Sequence, residues 1–463
     1  MSTARTLSHT DNPIISNPIL PMTIKLAVPV LIGHLLNLLY TVVDTLFISM
    51  LDKDSTAVIS GIGLVLPIYM LVIALGVGVF AGISSILART IGEQRFKSCD
   101  RIVSSGVFLA TVIALLYLIL LIFFGNDLLH LLAGNQITQA ALDSGKQYFY
   151  FFLPGLFLLL VFFAFAGVAQ GAGLVQYFAM AMMLSTLCNI ALDPLFIFGF
   201  KMGVKGAALA SSISIGLALF FLSMKLKSAK MGFTLKIGFS FIRKIYINDI
   251  LRIAVPQILS LAVISIGMMS LNNIVGSVSE TDMNSWVLVV RMDEFILIFG
   301  YALGSATLTQ VGQNFGQNDP KRVMSIYHTN LIFSIAVGVV IAVIYNLLAY
   351  PLFSLFSTVP EVIQKSVYQV RVISFSFIGI LALLVSNAMF QGTGKATPGL
   401  ILNIFRMILI ILPLSYLAIF MLKSGIVSLF YVIVLGNILT LIVTYLWSKS
   451  YLRRLVVKGN GKV

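Results

Sequence analysis

Apolar runs long enough to cross a bilayer recur from one end of the chain to the other, separated by short polar or glycine-rich breaks. Residues 55–88, 102–126, 253–279, 295–318, 372–394 and 424–448 carry no Asp, Glu, Lys or Arg. Residues 147–200 carry only Asp193 and are long enough for two spans, and 323–360 hold one more. A transmembrane helix needs about 20 apolar residues. The pattern predicts twelve such helices, the first over 25–51 and the last over 424–448.

Composition fits only a polytopic membrane protein: 59% of the 463 residues are hydrophobic and 10% charged, with a mean hydropathy of +1.03. The polar N-terminus lacks a short apolar core with a small-residue cleavage site, so no signal peptide is expected. Cys99, read in a short loop, and Cys188, inside a helix, suggest neither a disulfide framework nor a metal site. A net charge of +14 would suit a nucleic-acid partner, but topology removes that reading. With both termini inside, most of the 30 basic residues fall in internal segments, as the positive-inside rule requires. The expected setting is the cytoplasmic (inner) membrane, with both ends cytoplasmic, the lipid bilayer as partner and no nucleic acid.

The chain repeats itself. A basic, mostly polar stretch over 225–252 separates two sets of six helices, and matched places recur in order. Lys25-Leu-Ala-Val-Pro29 corresponds to Arg252-Ile-Ala-Val-Pro256, Gly92-Glu-Gln to Gly316-Gln-Asn, and Gln170-Gly-Ala-Gly173 to Gln391-Gly-Thr-Gly394, at offsets of 227, 224 and 221. The expected organisation is a polar N-terminus (1–21), an N-lobe of helices one to six (22–226), a basic linker (227–248), a C-lobe of helices seven to twelve (249–448) and a basic tail (449–463). Six helices per repeat make the repeats parallel, related by a pseudo-two-fold axis along the membrane normal. The substrate path would then run between the lobes, with rocking giving alternating access. Since both lobes lie in one chain, a monomer suffices.

Acids inside such helices mark the chemistry. A carboxylate at the centre of a spanning helix costs at least ~2.5 kcal/mol, yet Asp44 lies in the first helix and Asp193 in the fifth. Pro29, Gly33, Asn37, Tyr40 and Asp44 recur every three or four residues and share one stripe. Asn189 is one turn before Asp193 on the same face, and Pro194 frees the carbonyl of Ile190. Both acids sit at similar depth and could share one cavity in the N-terminal half. Desolvation favours the neutral form of a carboxyl group, so an acid whose exposure changes can take up and release a proton. Carboxylates and an amide could equally hold Na⁺. Pro29 allows the helix to bend, or fixes a static kink.

Taken together, the Pro29–Asp44 helix, Gly92-Glu-Gln, Gln170-Gly-x-Gly, Asn189-x-x-x-Asp193-Pro194 followed by Gly206-Ala-Ala, and Gln391-Gly-Thr-Gly resemble the multidrug and toxic compound extrusion (MATE) transporters over nearly the whole chain. The paired acids resemble its DinF-like and archaeal branch. That resemblance implies efflux of amphipathic, often cationic organic compounds in exchange for H⁺, with no other cofactor. It places at Ser211 a hydroxyl that completes the cation site, which makes Asp44, Asn189, Asp193 and Ser211 the candidate ligands if the ion is Na⁺. It links Pro29 to bending of the first helix on protonation. Sodium-coupled relatives carry acids in helices seven and ten; here Leu271, beside Asn272 and Asn273, occupies the position in the second repeat equivalent to Asp44, and helix ten has none. Phe163 and Ala166 stand where that branch has cavity-lining asparagines.

Other features carry less. Arg291, Asp293 and Glu294 are read as the start of the eighth helix, with Arg291 and Glu294 at i,i+3 as a structural pair or a gating element. Arg406 is isolated in the eleventh helix and needs a partner or water. A lipid-linked saccharide flippase would want several cations in its cavity, and this chain has almost none there. A polyprenyl transferase would want an acid, metal or histidine cluster at a membrane face. With four dispersed histidines and no Asp-x-x-Asp, the enzyme reading fails and transport stands.

Overall fold

The computed structural model describes residues 12–51, 57–134, 137–229 and 235–460. Most of the polar N-terminus and part of the basic linker lie outside these. The described chain is helical throughout. Twelve long helices follow one another: α1 (Ile19–Ser49), α2 (Ala57–Gly92), α3 (Phe96–Ala133), α4 (Gln139–Gly171), α5 (Val175–Gly199), α6 (Val204–Ser228), α7 (Lys244–Gly276), α8 (Glu280–Gly316), α9 (Pro320–Ser354), α10 (Pro360–Gly392), α11 (Thr397–Met421) and α12 (Ile426–Asn460). All but α8 are long and apolar enough by themselves to span a bilayer. Large apolar side chains such as Phe123, Leu131 and Leu347 are more than 70% exposed. A protein with such a surface needs lipid around it, and the chain is an all-α, multi-pass membrane protein.

Several boundaries moved from those read in the sequence. Helix α1 begins at Ile19, not near residue 25, because prolines in a first turn remove no helical hydrogen bond. Cys99 sits in the first turn of α3, buried, rather than in a loop. The largest correction concerns α8. Its start is Glu280, where the Ser279 side chain accepts from the Asp282 amide, so Arg291, Asp293 and Glu294 lie in the helix interior. Asp282 also pairs with Lys365 at 2.9 Å. An N-cap with acids in the first turn sets the start.

Ile32–Ala254 forms one compact unit; Val255–Val463, together with the described residues up to Leu31, forms the other. The boundaries fall inside α1 and α7, within three residues of the internal prolines Pro29 and Pro256. In the first unit α4 is central, packed against α2, α3 and α6; in the second α10 is central, against α8, α9 and α12. Gly61 and Gly145 permit the closest approach in the first unit: a Cβ on Gly145 would lie 2.6 Å from the Gly61 carbonyl oxygen. In the second unit Thr23 is fully buried, donates to Asn330 Oδ1 at 2.6 Å and accepts from Gln310 Nε2 at 2.9 Å. Asn330 Nδ2 in turn donates to Thr307 at 3.0 Å.

The backbone carries the repeat more sharply than the side chains do. Left-handed residues recur in pairs: Gln94 with Asn318, Gly173 with Gly394, Lys201 with Lys423, and Gly203 with Gly425, at offsets of 224, 221, 222 and 222. A π-helical turn ends α5 at Leu195–Gly199, and its counterpart ends α11 at Leu417–Met421.

Candidate functional site

The first unit gathers the sequence-predicted polar residues. Asn189 Nδ2 donates to Asp193 Oδ1 and to Ser211 Oγ, both at 3.2 Å. Tyr40 and Ser211 share a hydrogen bond of 3.2 Å between their hydroxyls. The carboxyl groups of Asp44 and Asp193 neighbour each other closely enough to interact electrostatically. One chain of contacts thus joins α1 (Tyr40, Asp44), α5 (Asn189, Asp193) and α6 (Ser211). Burial is nearly complete: Asp193 is 0% exposed, Asn189 and Ser211 1%.

The elements explain the placement. On α5 the spacing of four stacks Asn189 over Asp193. Pro194 does not end the helix; it continues as the π-helical turn Leu195–Gly199. Helix α6 folds back over that turn because Gly206 has no side chain. A Cβ there would lie 2.7 Å from the carbonyl carbon of Phe196. We expect Gly206→Val to push α6 off the turn, withdraw Ser211 from Asn189 and cost about 1–3 kcal/mol. A thermal ramp followed by size-exclusion chromatography reads this directly, and an unchanged midpoint would contradict the packing argument.

A cavity of about 60 Å³ adjoins the polar chain. Asn37, Tyr40, Asn189, Ser211 and Ser214 supply its polar wall; Tyr69, Phe152, Leu159 and Phe162 face them. Drug-sized ligands need roughly 300–1,000 Å³, so in this conformation the space suits a small cation and water. Phe163 and Ala166 are not among the lining residues; Phe163 packs on Gly76 and Ala166 is fully buried. Two tyrosines were not foreseen. Tyr148 neighbours the cluster, its ring 5.4 Å from Phe152, and Tyr69 lines the cavity, its ring 6.0 Å from the same phenylalanine. Both sit in aromatic-rich helices where no spacing marks them.

Four buried oxygens at this site meet no hydrogen-bond partner among the described residues: Asp44 Oδ1, Asp193 Oδ2, Asn189 Oδ1 and Ser214 Oγ. Two ionised carboxylates side by side in a low-dielectric interior repel strongly, so the pair holds together with a proton or a cation. The donor set, all oxygen, suits either chemically. Among the described residues no group of three His, Cys, Asp or Glu side chains could hold a metal ion.

The other predicted residues lie in the second unit. The Arg291–Glu294 pair is not formed among the described residues. Both side chains are exposed, and Asp293 instead accepts from the Tyr345 hydroxyl at 3.4 Å. Leu271 is buried in the apolar core, and Asn272 accepts from Trp286 Nε1 at 2.7 Å. Arg406 contacts Asn437 Oδ1 at 3.4 Å.

The MatE family model matches the chain twice, over residues 29–195 and 256–417, so each match opens on one of the paired prolines. The FAD transporter of Shewanella oneidensis is 25% identical over 437 residues, 93% of this chain and 95% of that one. The multidrug export protein MepA of Staphylococcus aureus is 24% identical over 399 residues, 85% of this chain and 86% of that one. A crystal structure of MATE in complex with MaD3S superposes with a TM-score of 0.88 at 23% identity, covering 96% of this chain and 98% of that one. The chain belongs to the MatE family: it is a multi-pass membrane transporter, not an enzyme.

Proposed function

We propose that the protein is a secondary active efflux antiporter that expels amphipathic, chiefly cationic organic compounds in exchange for protons bound at Asp44 and Asp193. One observation carries this reading: two neighbouring carboxyl groups inside the membrane span, each with a buried oxygen that meets no donor among the described residues. A single proton shared between neighbouring carboxyl groups removes their mutual repulsion. Asn189, Ser211 and Tyr40 hold the acids in register, and Asn37 lines the adjoining cavity.

Protonation and cargo binding each favour a different conformation, which is what couples them. Pro29 is the hinge: it weakens the ladder of α1 close to where the helix passes from one compact unit to the other. The driving force is adequate, at ~2.3 kcal/mol per charge per 100 mV plus ~1.4 kcal/mol per pH unit. The setting is the cytoplasmic membrane with both termini inside, and one chain is the working unit. Similarity to a protein named as an FAD transporter supports extending the cargo to flat aromatic compounds that bear negative charge.

The test is transport of a fluorescent cationic dye in proteoliposomes under separately imposed H⁺ and Na⁺ gradients. Movement that follows the pH gradient and ignores Na⁺ is the expected result. Movement that follows only Na⁺ would transfer the same oxygen site to sodium, and no movement under either gradient would remove the multidrug reading.

A further inference from the structure

Arg406 lies near the middle of α11, about nine residues from its start, where snorkelling to an interface is limited. No carboxylate pairs with it among the described residues. The guanidinium donates to Asn437 Oδ1 at 3.4 Å and approaches Met407 Sδ at 3.6 Å, and its buried Nε meets no acceptor. Asn437 is itself fixed by donating to Ser376 at 2.9 Å. A cation left this way in a membrane interior is costly unless something negative joins it.

The backbone shows that the position is built. From Gly173 to Lys201 the first repeat runs 28 residues, and from Gly394 to Lys423 the second runs 29. The extra residue is taken up in α11 by a π-helical segment, Phe405–Ile411, while the matching stretch of α5 is regular α-helix. Such insertions are rare and concentrate at functional sites, because one added residue re-aims the side chains around it. Arg406 stands twelve residues after Gly394, as Ser185 stands after Gly173; Asn437 stands twelve after Gly425, as Ile215 stands after Gly203. Ser185 and Ile215 both line the cavity of the first unit. The second repeat therefore holds a guanidinium at the place where the first has its oxygen-lined cavity.

We propose that Arg406, positioned by Asn437, is a binding site for the anionic group, phosphate or carboxylate, of an organic cargo molecule. The inference rests on the transport reading for the word cargo, but the site can be assayed without transport. Arginine suits the task because its planar fork of donors matches both oxyanions. Asn437 Oδ1 takes Nη1 and Met407 Sδ, a weak acceptor, approaches Nη2, which leaves the Nε hydrogen as the donor without an acceptor.

Riboflavin 5′-phosphate and riboflavin share one fluorescent ring system and differ by the phosphate alone. Their affinities for the full-length protein in nanodiscs, with no gradient imposed, test the site. The wild type is expected to bind the phosphate form on the order of tenfold tighter or more. In Arg406→Gln the ratio should fall to about one, and Arg406→Lys should keep part of it. On the wild type alone, sulfate should displace the phosphate form and spare riboflavin, which keeps the test open if Arg406→Gln fails to fold. A wild-type ratio near one, a ratio unchanged in Arg406→Gln, or sulfate acting on both ligands alike would overturn the proposal. Failure of gradient-driven dye transport would overturn the antiport reading and leave these ratios as they are.

Discussion

Asp44→Asn is expected to abolish gradient-driven dye efflux, lowering the initial rate in proteoliposomes by about a hundredfold or more, and Asp193→Asn to do the same. Either change leaves one acid of the pair and an amide that cannot take up a proton. The remaining carboxyl group then lacks the neighbour with which it shares one, and coupling is lost at a single site. Folding should survive, because Asn fills the same volume and can donate to the partner acid. Asp193 already accepts from Asn189, and the new amide would satisfy an oxygen that now lacks a donor. Unfolding midpoints at or above the wild-type value, alongside lost efflux, are the expected signature. Efflux within a few fold of wild type in both variants would remove the pair from the mechanism.

The second large effect is on stability. Asn330→Leu should weaken the second unit by about 2 kcal/mol, since hydrogen bonds between membrane helices contribute roughly 0.6–2 kcal/mol each. Asn330 accepts from Thr23 and donates to Thr307. The leucine would therefore remove partners from two fully buried hydroxyls and crowd a site shaped for an amide. Thr23 lies on α1 before Pro29, so this network anchors the segment against which the rest of the helix bends. The variant should lose thermal stability and also transport dye more slowly per folded molecule. A changed midpoint with normal transport would leave the anchor structural only.

Much of this was legible in the chain. Length and apolarity gave the twelve helices, because a bilayer imposes both on any spanning segment. The stripe from Asn37 to Asp44 and the spacing of Asn189 and Asp193 placed those residues on single faces, and the helices bring those faces together. The start of α8 was missed for a physical reason. Charges at Arg291, Asp293 and Glu294 looked like a boundary, but Ser279 and the acids behind it cap the true start, and Tyr345 meets Asp293 from α9. Tyr148 joins the surroundings of the acids from a helix whose many aromatics hide it. The setting of Arg406 depends on a π-helical segment, which is a property of backbone hydrogen bonding that no residue pattern announces.

The most direct test of the central claim is proton release on cargo binding, followed with a pH-sensitive dye in weakly buffered solution of the purified protein. Binding of a cationic dye should release protons from the wild type and none from the Asp44→Asn, Asp193→Asn double variant. Binding without proton release in the wild type at every pH, accompanied by displacement of Na⁺, would contradict proton coupling at this pair.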